Sequence, residues 1–507
     1  MKSCGLKRTL GLSAYLGVFL SISCSLLYAK DNVGKECQDL KSFLSSSSFK
    51  IDCNLNYHHY NSTAPKKYYK KSNSLQSGLK IASFNLLYPG NSRNRYKDYP
   101  MLARLINKWD IVGAQELVAS MGKEFHHNQI LMTSRVSTPK LVRDHYKLPG
   151  YLKILKELRK IDPSWALLLS GQAEAAKEEY VKELGGFFYR ARKVQPIENE
   201  FCHDHFENGS AQALGCLTDF TKETVGKELN SIFSRRPFLA SFESGSFDFT
   251  LLTTHVIYTS PQDPETKKWI LQKAFGVNTY KGLGKGMTGD TYARFSEIKA
   301  TLKFMDYLWN NFNEEDVILI GDFNIEKKNP FWSNIIGEFE GAKILNTSPT
   351  TLTDRKFRYV KGEEVETNGL SKNYDHIVLN PNITHECGNA RSFNFLGDND
   401  FSRKLNKKYI VRSSRKKGSI YPIGQSNKNK MNRLIDLYEE SLGNKLTIKR
   451  HKVIEDTKNI KKYVKGYKTR VFNSQKKDNS FYHLYKEIIS DHIPVFMTCS
   501  TGQRDDD

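Results

Sequence analysis

The stretch "DVILIGDFNIE" (316–326) decides the fold. Its apolar run 317–320 has the length of a buried strand, and Gly321 ends it with a turn residue. Asp322 and Asn324 stand just beyond that end. Working outward, similar short apolar runs recur in "LKIASFNLLY" (79–88), "WDIVGAQEL" (109–117), "GGFFYRARKV" (185–194), "FDFTLLTTHVIY" (247–258), "YDHIVLN" (374–380) and "DHIPVFMTCS" (491–500). Helical periodicity separates some of them. "YPMLARLINKW" (99–109) is one such stretch, and "TYARFSEIKATLKFMDYLWNNF" (291–312) another, with Phe295, Ile298, Leu302, Met305 and Leu308 on one face. Strands interleaved with helices predict an α/β protein in which two sheets pack together beneath outer helices.

Polar residues gather where these runs end. Asn85 ends "IASFN", Glu116 ends "IVGAQE", His255 ends "LLTTH", and Asp491 with His492 opens the last predicted strand. A carboxylate at one strand end is ordinarily a cap or turn residue. Repetition of ligand and acid–base types at five ends suits a site instead, because strand ends of α/β sheets gather ligands. The types fit phosphodiester hydrolysis. A hard cation takes oxygen ligands, which Glu116, Asp491 and the side-chain oxygen of Asn85 offer. Histidine suits proton removal and delivery near neutral pH, and a carboxylate behind it fixes its tautomer.

The whole chain adds context. It has 507 residues, 39% hydrophobic and 12% aromatic, enough for a large core and against disorder throughout. The formal charge of +22 favours a polyanionic partner, nucleic acid or an anionic surface. Residues 403–477 alone hold 23 Lys or Arg against 5 Asp or Glu, and read as a basic insertion that follows phosphates. Lys2, Lys7 and Arg8 precede an apolar run from Leu10 to Leu27 and small residues ending near Ala29, the order of a secretory signal peptide over 1–29. An uncleaved anchor is the competing reading. After cleavage no stretch remains to span a membrane, and a secreted or periplasmic location is expected. A polar leader (30–78), with Ser45–Ser48, "KKYYKK" (66–71) and solvated His58 and His59, precedes the catalytic domain (79–500), and 501–507 form an acidic tail. Cys37, Cys53, Cys202, Cys216, Cys387 and Cys499 remain for disulfides, the close pairs 37–53 and 202–216 being the simplest guess.

Taken together, "QE" after an apolar run, "GDFN", "YDHIV" and "SDHIPV" resemble the endonuclease/exonuclease/phosphatase superfamily, closest to its deoxyribonuclease I-like branch. The matches run in the family's order from Asn85 to His492. The resemblance implies a four-layer α/β sandwich, two packed mixed β-sheets flanked by helices. It also implies a monomeric nuclease that uses Mg²⁺, with Mn²⁺ as a substitute and Ca²⁺ as a structural ion. By the same resemblance Glu116, Asn85 and Asp491 belong to the metal site. Asp322 and Asn324 flank the scissile phosphate, and His492 is paired with Asp375. His255 is paired with Glu183, a glutamate read as ending a charged helix, and Arg235 in "FSRRPF" (233–238) contacts phosphate. The expected activity is endonucleolytic hydrolysis of DNA, extending to RNA. The leader, the segment around 122–180 and the basic insertion have no place in a minimal enzyme of this kind. A sphingomyelinase-like phospholipid phosphodiesterase is the rival, with "NPFWSNIIGEF" (329–339) read either as its membrane-inserting element or as a buried helix. A non-catalytic DNA-binding surface protein is the third reading.

Overall fold

The computed structural model describes residues 59–62, 78–89, 97–118, 150–170, 183–204, 214–218, 232–312, 316–353, 357–360, 363–366, 368–398, 401, 409–413, 418–422 and 483–502. The signal and most of the leader, Cys37 and Cys53, the segment 119–149 and most of the basic insertion lie outside them.

In chain order the strands begin with β1 (His59–Ser62), β2 (Leu79–Asn85), β3 (Ile111–Val118), β4 (Trp165–Ser170), β5 (Glu183–Arg190) and β6 (Gln195–Ile197). There follow β7 (Gly215–Leu217), β8 (Phe238–Ser244), β9 (Phe247–His255), β10 (Val317–Asp322), β11 (Lys343–Ile344) and β12 (Phe357–Val360). The last are β13 (Glu363–Glu366), β14 (Asp375–Leu379), β15 (Arg391–Ser392), β16 (Tyr409–Ser413), β17 (Gly418–Pro422) and β18 (Val495–Cys499). One sheet has the order β1-β4-β5-β3-β2-β18-β15, and the other β11-β14-β10-β9-β8-β6, with β7 also on β8. Each sheet is antiparallel except for one central parallel pair, β2 with β3 and β9 with β10. Both sheets are therefore mixed, as expected.

Burial on both faces explains the continuous apolar runs. In β2, Leu79 and Ile81 point between the sheets, while Ala82 and Phe84 face the outer helices. In β10, Ile318 and Ile320 point between the sheets, while Val317 and Leu319 face outward. Helices Tyr99–Ile106 and Gly150–Ile161 cover the first sheet, and Pro264–Phe275 and Tyr292–Asn311 the second. Two of these start on an aspartate side chain that takes a first-turn N–H: Asp98 from Met101, at 3.2 Å, and Asp263 from Thr266, at 2.8 Å. Pro100 and Pro264 sit in the first turns, where a missing N–H costs nothing. The expected stripe Phe295, Ile298, Leu302, Met305 and Leu308 is buried.

Two readings change, and one guess holds. Within the segment set apart at 122–180, Trp165–Ser170 is a fully buried strand beside β5, and four residues of the leader pair with it as edge strand β1. Its sequence, "WALLLS", sits too close behind a helix to stand out by periodicity. Cys202 bonds Cys216 as guessed, and Cys387 bonds Cys499. The last strand begins at Val495, because Pro494 lacks an N–H and the preceding segment pairs elsewhere: Leu352 N–H donates to Asp491 O, and Ile493 N–H to Thr350 O. Among the described residues no helix is long and apolar enough to cross a membrane.

Gly321 has φ +153°, and a Cβ there would lie 2.0 Å from the Thr254 carbonyl oxygen of the neighbouring strand. Only glycine lets β10 run that close to β9. Gly321→Ala should cost about 2–3 kcal/mol in urea unfolding. Gly276→Ala, in the left-handed region but with nothing within 4 Å, should cost about 1 kcal/mol. Equal losses would remove the steric argument.

Asp162 ties the edge of the first sheet to the turn before β4. Its carboxylate accepts from Ser164 N–H (3.1 Å) and Oγ (2.8 Å), and pairs with Arg190 (2.5 Å) and Arg192 (2.7 Å). Burial alone would raise its pKa, but these donors lower it below its ordinary 3.8. A depressed acid stabilises the fold above its unfolded value and loses that contribution as pH falls through the folded one. The stability gap between wild type and Asp162→Asn should accordingly be full at neutral pH and close below about pH 4. A gap that widens on acidification contradicts this.

Candidate active site

Both parallel pairs end at the same edge of the sandwich, so four carboxyl-terminal strand ends converge. In the first sheet Asn85 lies opposite Gln115. In the second, Asp322 lies between His255 on one side and Asp375 on the other. Strand register alone thus aligns three of the expected residues across one sheet.

Glu116 arrives differently. Pairing of β3 with β5 jumps from Ala114 opposite Gly186 to Leu117 opposite Leu184, so Gln115 and Glu116 bulge from the strand. Glu116 takes φ +57°, in the left-handed region. The bulge sends Gln115 across the sandwich, where its Nε2 donates to Thr253 Oγ1 of β9 at 2.8 Å and to Ser83 Oγ at 3.2 Å. Asn324, at φ +53°, is the second strained residue of the expected set; its N–H donates to Asp322 Oδ1 at 2.9 Å and its Nδ2 to Val256 O at 2.8 Å.

Asp322 Oδ2 is the hub. Asn85 Nδ2 donates to it at 3.1 Å and to Glu116 Oε1 at 2.9 Å, joining the two sheets. His492 Nε2 lies 3.5 Å from the same oxygen and His255 Nε2 3.7 Å. Each imidazole is backed by a carboxylate on its other nitrogen: His492 Nδ1 by Asp375 Oδ2 at 2.7 Å, and His255 Nδ1 by Glu183 Oε2 at 2.8 Å.

Glu183 opens strand β5 and does not end a helix. Arg235 grips it through Nε to Oε2 (2.5 Å) and Nη2 to Oε1 (3.3 Å), and Tyr88 Oη donates to Oε1 at 2.8 Å. The third Arg235 nitrogen, Nη1, donates to the His255 carbonyl at 3.2 Å. Glu116, Glu183, Arg235, Arg236, Thr254 and His255 line one cleft. Asn85 turns its amide nitrogen, not its oxygen, toward the carboxylates, because the oxygen accepts from Leu87 N–H at 3.0 Å. That orientation departs from the expected use of the oxygen as a ligand.

Electrostatics separates the groups. Burial would raise Glu183, yet His255, Arg235 and Tyr88 hold it well below the usual carboxylate range. Burial raises Glu116, and neighbouring Glu183 and Asp491 add to this. Burial would lower both His255 and His492; their carboxylate partners overcome it and raise them, His492 well above its ordinary value. Asp375 is pushed up to about 6 by burial, against the pull of His492. His376, next in sequence, is lowered to about 4 by burial, and its Nε2 bonds the Ile325 carbonyl at 2.7 Å. It is a neutral packing residue.

Sequence reasoning missed several supports. Tyr88 was lost inside an apolar run. Glu297 is buried on helix Tyr292–Asn311 and accepts from Ser234 N–H (2.7 Å) and Ile257 N–H (3.0 Å), fixing the segments that carry Arg235 and follow His255. Ser490 Oγ donates to Asn85 O at 2.6 Å and accepts from His492 N–H at 3.1 Å. Only three-dimensional pairing reveals such roles.

No family model and no curated protein matches the sequence. Solved structures do align. A mannosyl-6-phosphatase of Bacteroides thetaiotaomicron is 13% identical over 60% of this chain and 85% of its own, with a TM-score of 0.32. An endonuclease/exonuclease/phosphatase family protein of the same organism is 12% identical over 68% and 94%, at 0.35. TDP2 of D. rerio, complexed with single strand DNA product, is 12% identical over 83% and 99%, at 0.32. At these values the alignments say nothing of substrate.

Gln115 is buried and bridges the two sheets beside the site. Gln115→Met should cost about 1–3 kcal/mol in urea unfolding by leaving buried polar partners unmet. A neutral result would assign the bridge no energetic role.

Proposed function

We propose that this protein is a metal-dependent phosphodiesterase that cleaves nucleic acid, with DNA as the leading substrate. The observation that carries the proposal is the pair of carboxylate-backed imidazoles, His255–Glu183 and His492–Asp375, whose free nitrogens both face Asp322 Oδ2. In-line phosphoryl transfer needs one group to take a proton from the attacking water and another to protonate the departing oxygen, on opposite sides of the phosphorus. Two imidazoles around one small polar centre meet that need. Asp322 and Asn324 are assigned to orient the water and the phosphoryl oxygens, and Arg235 to contact phosphate while holding Glu183.

A divalent cation suits the Glu116 corner. Glu116 Oε2 and Asp491 Oδ1 are buried acceptors without a hydrogen-bond donor, and each carboxylate lies in the other's field. Hard oxygen donors of this kind favour Mg²⁺ or Mn²⁺, held by Glu116 and Asp491 with Asn85 alongside. When bound, the ion would offset charge developing on the phosphoryl oxygens. Asp322, Asp375 and His492 also bring ligand-type atoms within 4.8 Å of one another, but His492 Nδ1 and Asp375 Oδ2 already bond each other there, which leaves Asp375 Oδ1 alone without a donor. They suit proton transfer better than ion binding.

The charge of +22 supports a polyanion over a phospholipid. The rival membrane element weakens too, since Phe331, Trp332, Ile335 and Phe339 are buried. Two disulfides, with the signal-like N-terminus, support export from the cytoplasm.

Purified protein should nick plasmid DNA in Mg²⁺ and stop in EDTA. His492→Ala and His255→Ala should each lower kcat about 10²–10⁴-fold. Glu116→Gln should raise the Mg²⁺ concentration giving half-maximal activity. Full activity in His492→Ala would defeat the assigned mechanism, and turnover of sphingomyelin but not DNA would defeat the substrate.

A further inference from the structure

Tyr258 lies three residues beyond His255, where β9 gives way to the lip of the site. It is 59% exposed, the most open of the large hydrophobic side chains described. A lone exposed aromatic is ordinary on a protein surface. What distinguishes this one is how firmly it is held. Arg294 donates from Nε (3.1 Å) and Nη2 (2.5 Å) to the Tyr258 carbonyl, and its guanidinium lies 4.9 Å over the Tyr258 ring. The remaining arm of Arg294 donates to the Asn324 carbonyl at 2.8 Å. One arginine thus fixes the ring and the strained turn of the site to each other. The rest of the lip is pinned as well, by Ser260 Oγ to Asp290 O (2.9 Å) and Tyr292 Oη to Pro261 O (3.2 Å). Lys372 and Tyr374 lie within electrostatic reach of the ring.

A rigid, solvent-open ring with a cation on one side is a stacking platform. Planar π-systems gain from such a ring about as much as from a neighbouring base, provided their own faces are free. We propose that Tyr258 stacks an unpaired nucleobase of the bound strand next to the phosphate to be cut, and so biases the site toward single-stranded or frayed nucleic acid. This rests on the phosphodiesterase reading above and names the form of its substrate. A base inside a duplex has both faces occupied and gains nothing here.

Binding can be measured apart from cleavage. The full chain in EDTA, titrated against a labelled single-stranded oligonucleotide of about eight nucleotides and followed by anisotropy, should bind it about tenfold tighter than the same strand carrying abasic sites. Tyr258→Ala should erase that difference, Tyr258→Phe should keep it, and a blunt duplex of the same sequence should not respond to Tyr258→Ala. Equal affinity of the wild type for base-bearing and abasic strands, persistence of the difference in Tyr258→Ala, or no binding of the strand at all would overturn the platform. Cleavage of the same strand in Mg²⁺ is scored separately. Discrimination without cleavage would leave the platform standing and sink the phosphodiesterase reading, whereas cleavage without discrimination would do the reverse.

Discussion

Everything in the site depends on one hydrogen-bonded bridge between two sheets: Asn85 at the end of β2, reaching Asp322 at the end of β10 over 3.1 Å. Two layers of side chains normally keep packed sheets about 10 Å apart. The gap narrows here for local reasons. Gly113 has no side chain where a Cβ would meet Ile320 at 2.4 Å, and Gln115 spans to Thr253 beneath the bridge. Polar atoms from both sheets then share one point without leaving the shelter of the apolar layer between them.

Concentrating five carboxylates and two imidazoles there would be untenable if every charge stood alone. The molecule distributes them in pairs. Glu183 has Arg235, Tyr88 and His255; Asp375 has His492; Asp322 has the Asn85 amide and the Asn324 N–H. Glu116, Asp375 and Asp491 are each left with one oxygen unmet. The negative charge that remains is local, set in a chain whose overall sign is strongly positive. Under the proposed function, such a field would draw a polyanion toward the site at long range and favour a small cation at its centre.

The strands that carry the site were legible because burial on both faces makes them continuous apolar runs, as in β2, β9 and β10. Their polar ends were legible for the same reason: a run stops abruptly at Asn85, His255 or Asp322. The bulge that turns Glu116 inward leaves no such trace, since left-handed backbone at a glutamate has no sequence signature. Strands β4 and β8 were passed over, one behind a helix and one directly after the arginine pair of "FSRRPF". Glu183 was placed on the wrong kind of element because the charged residues before it suggest a helix. Supports such as Glu297 and Ser490 act through backbone groups distant in sequence, which no local pattern encodes.

The Cys387–Cys499 bond has a consequence for how the chain survives damage. It joins the end of the strand that follows His492 to a residue 112 positions earlier, closing a covalent ring around the whole basic insertion. In chain-entropy terms a ring of that size favours the folded state by about 4–5 kcal/mol. A protease that severs any peptide bond between the two cysteines opens the ring without detaching anything. The C-terminal piece bearing His492 would stay tethered in its sheet, and the two fragments would part only under reducing conditions. The 25 Lys or Arg residues between the two cysteines give that span many bonds of the kind trypsin-like enzymes cut. The crosslink makes nicking there a loss of continuity in the backbone but not of the molecule.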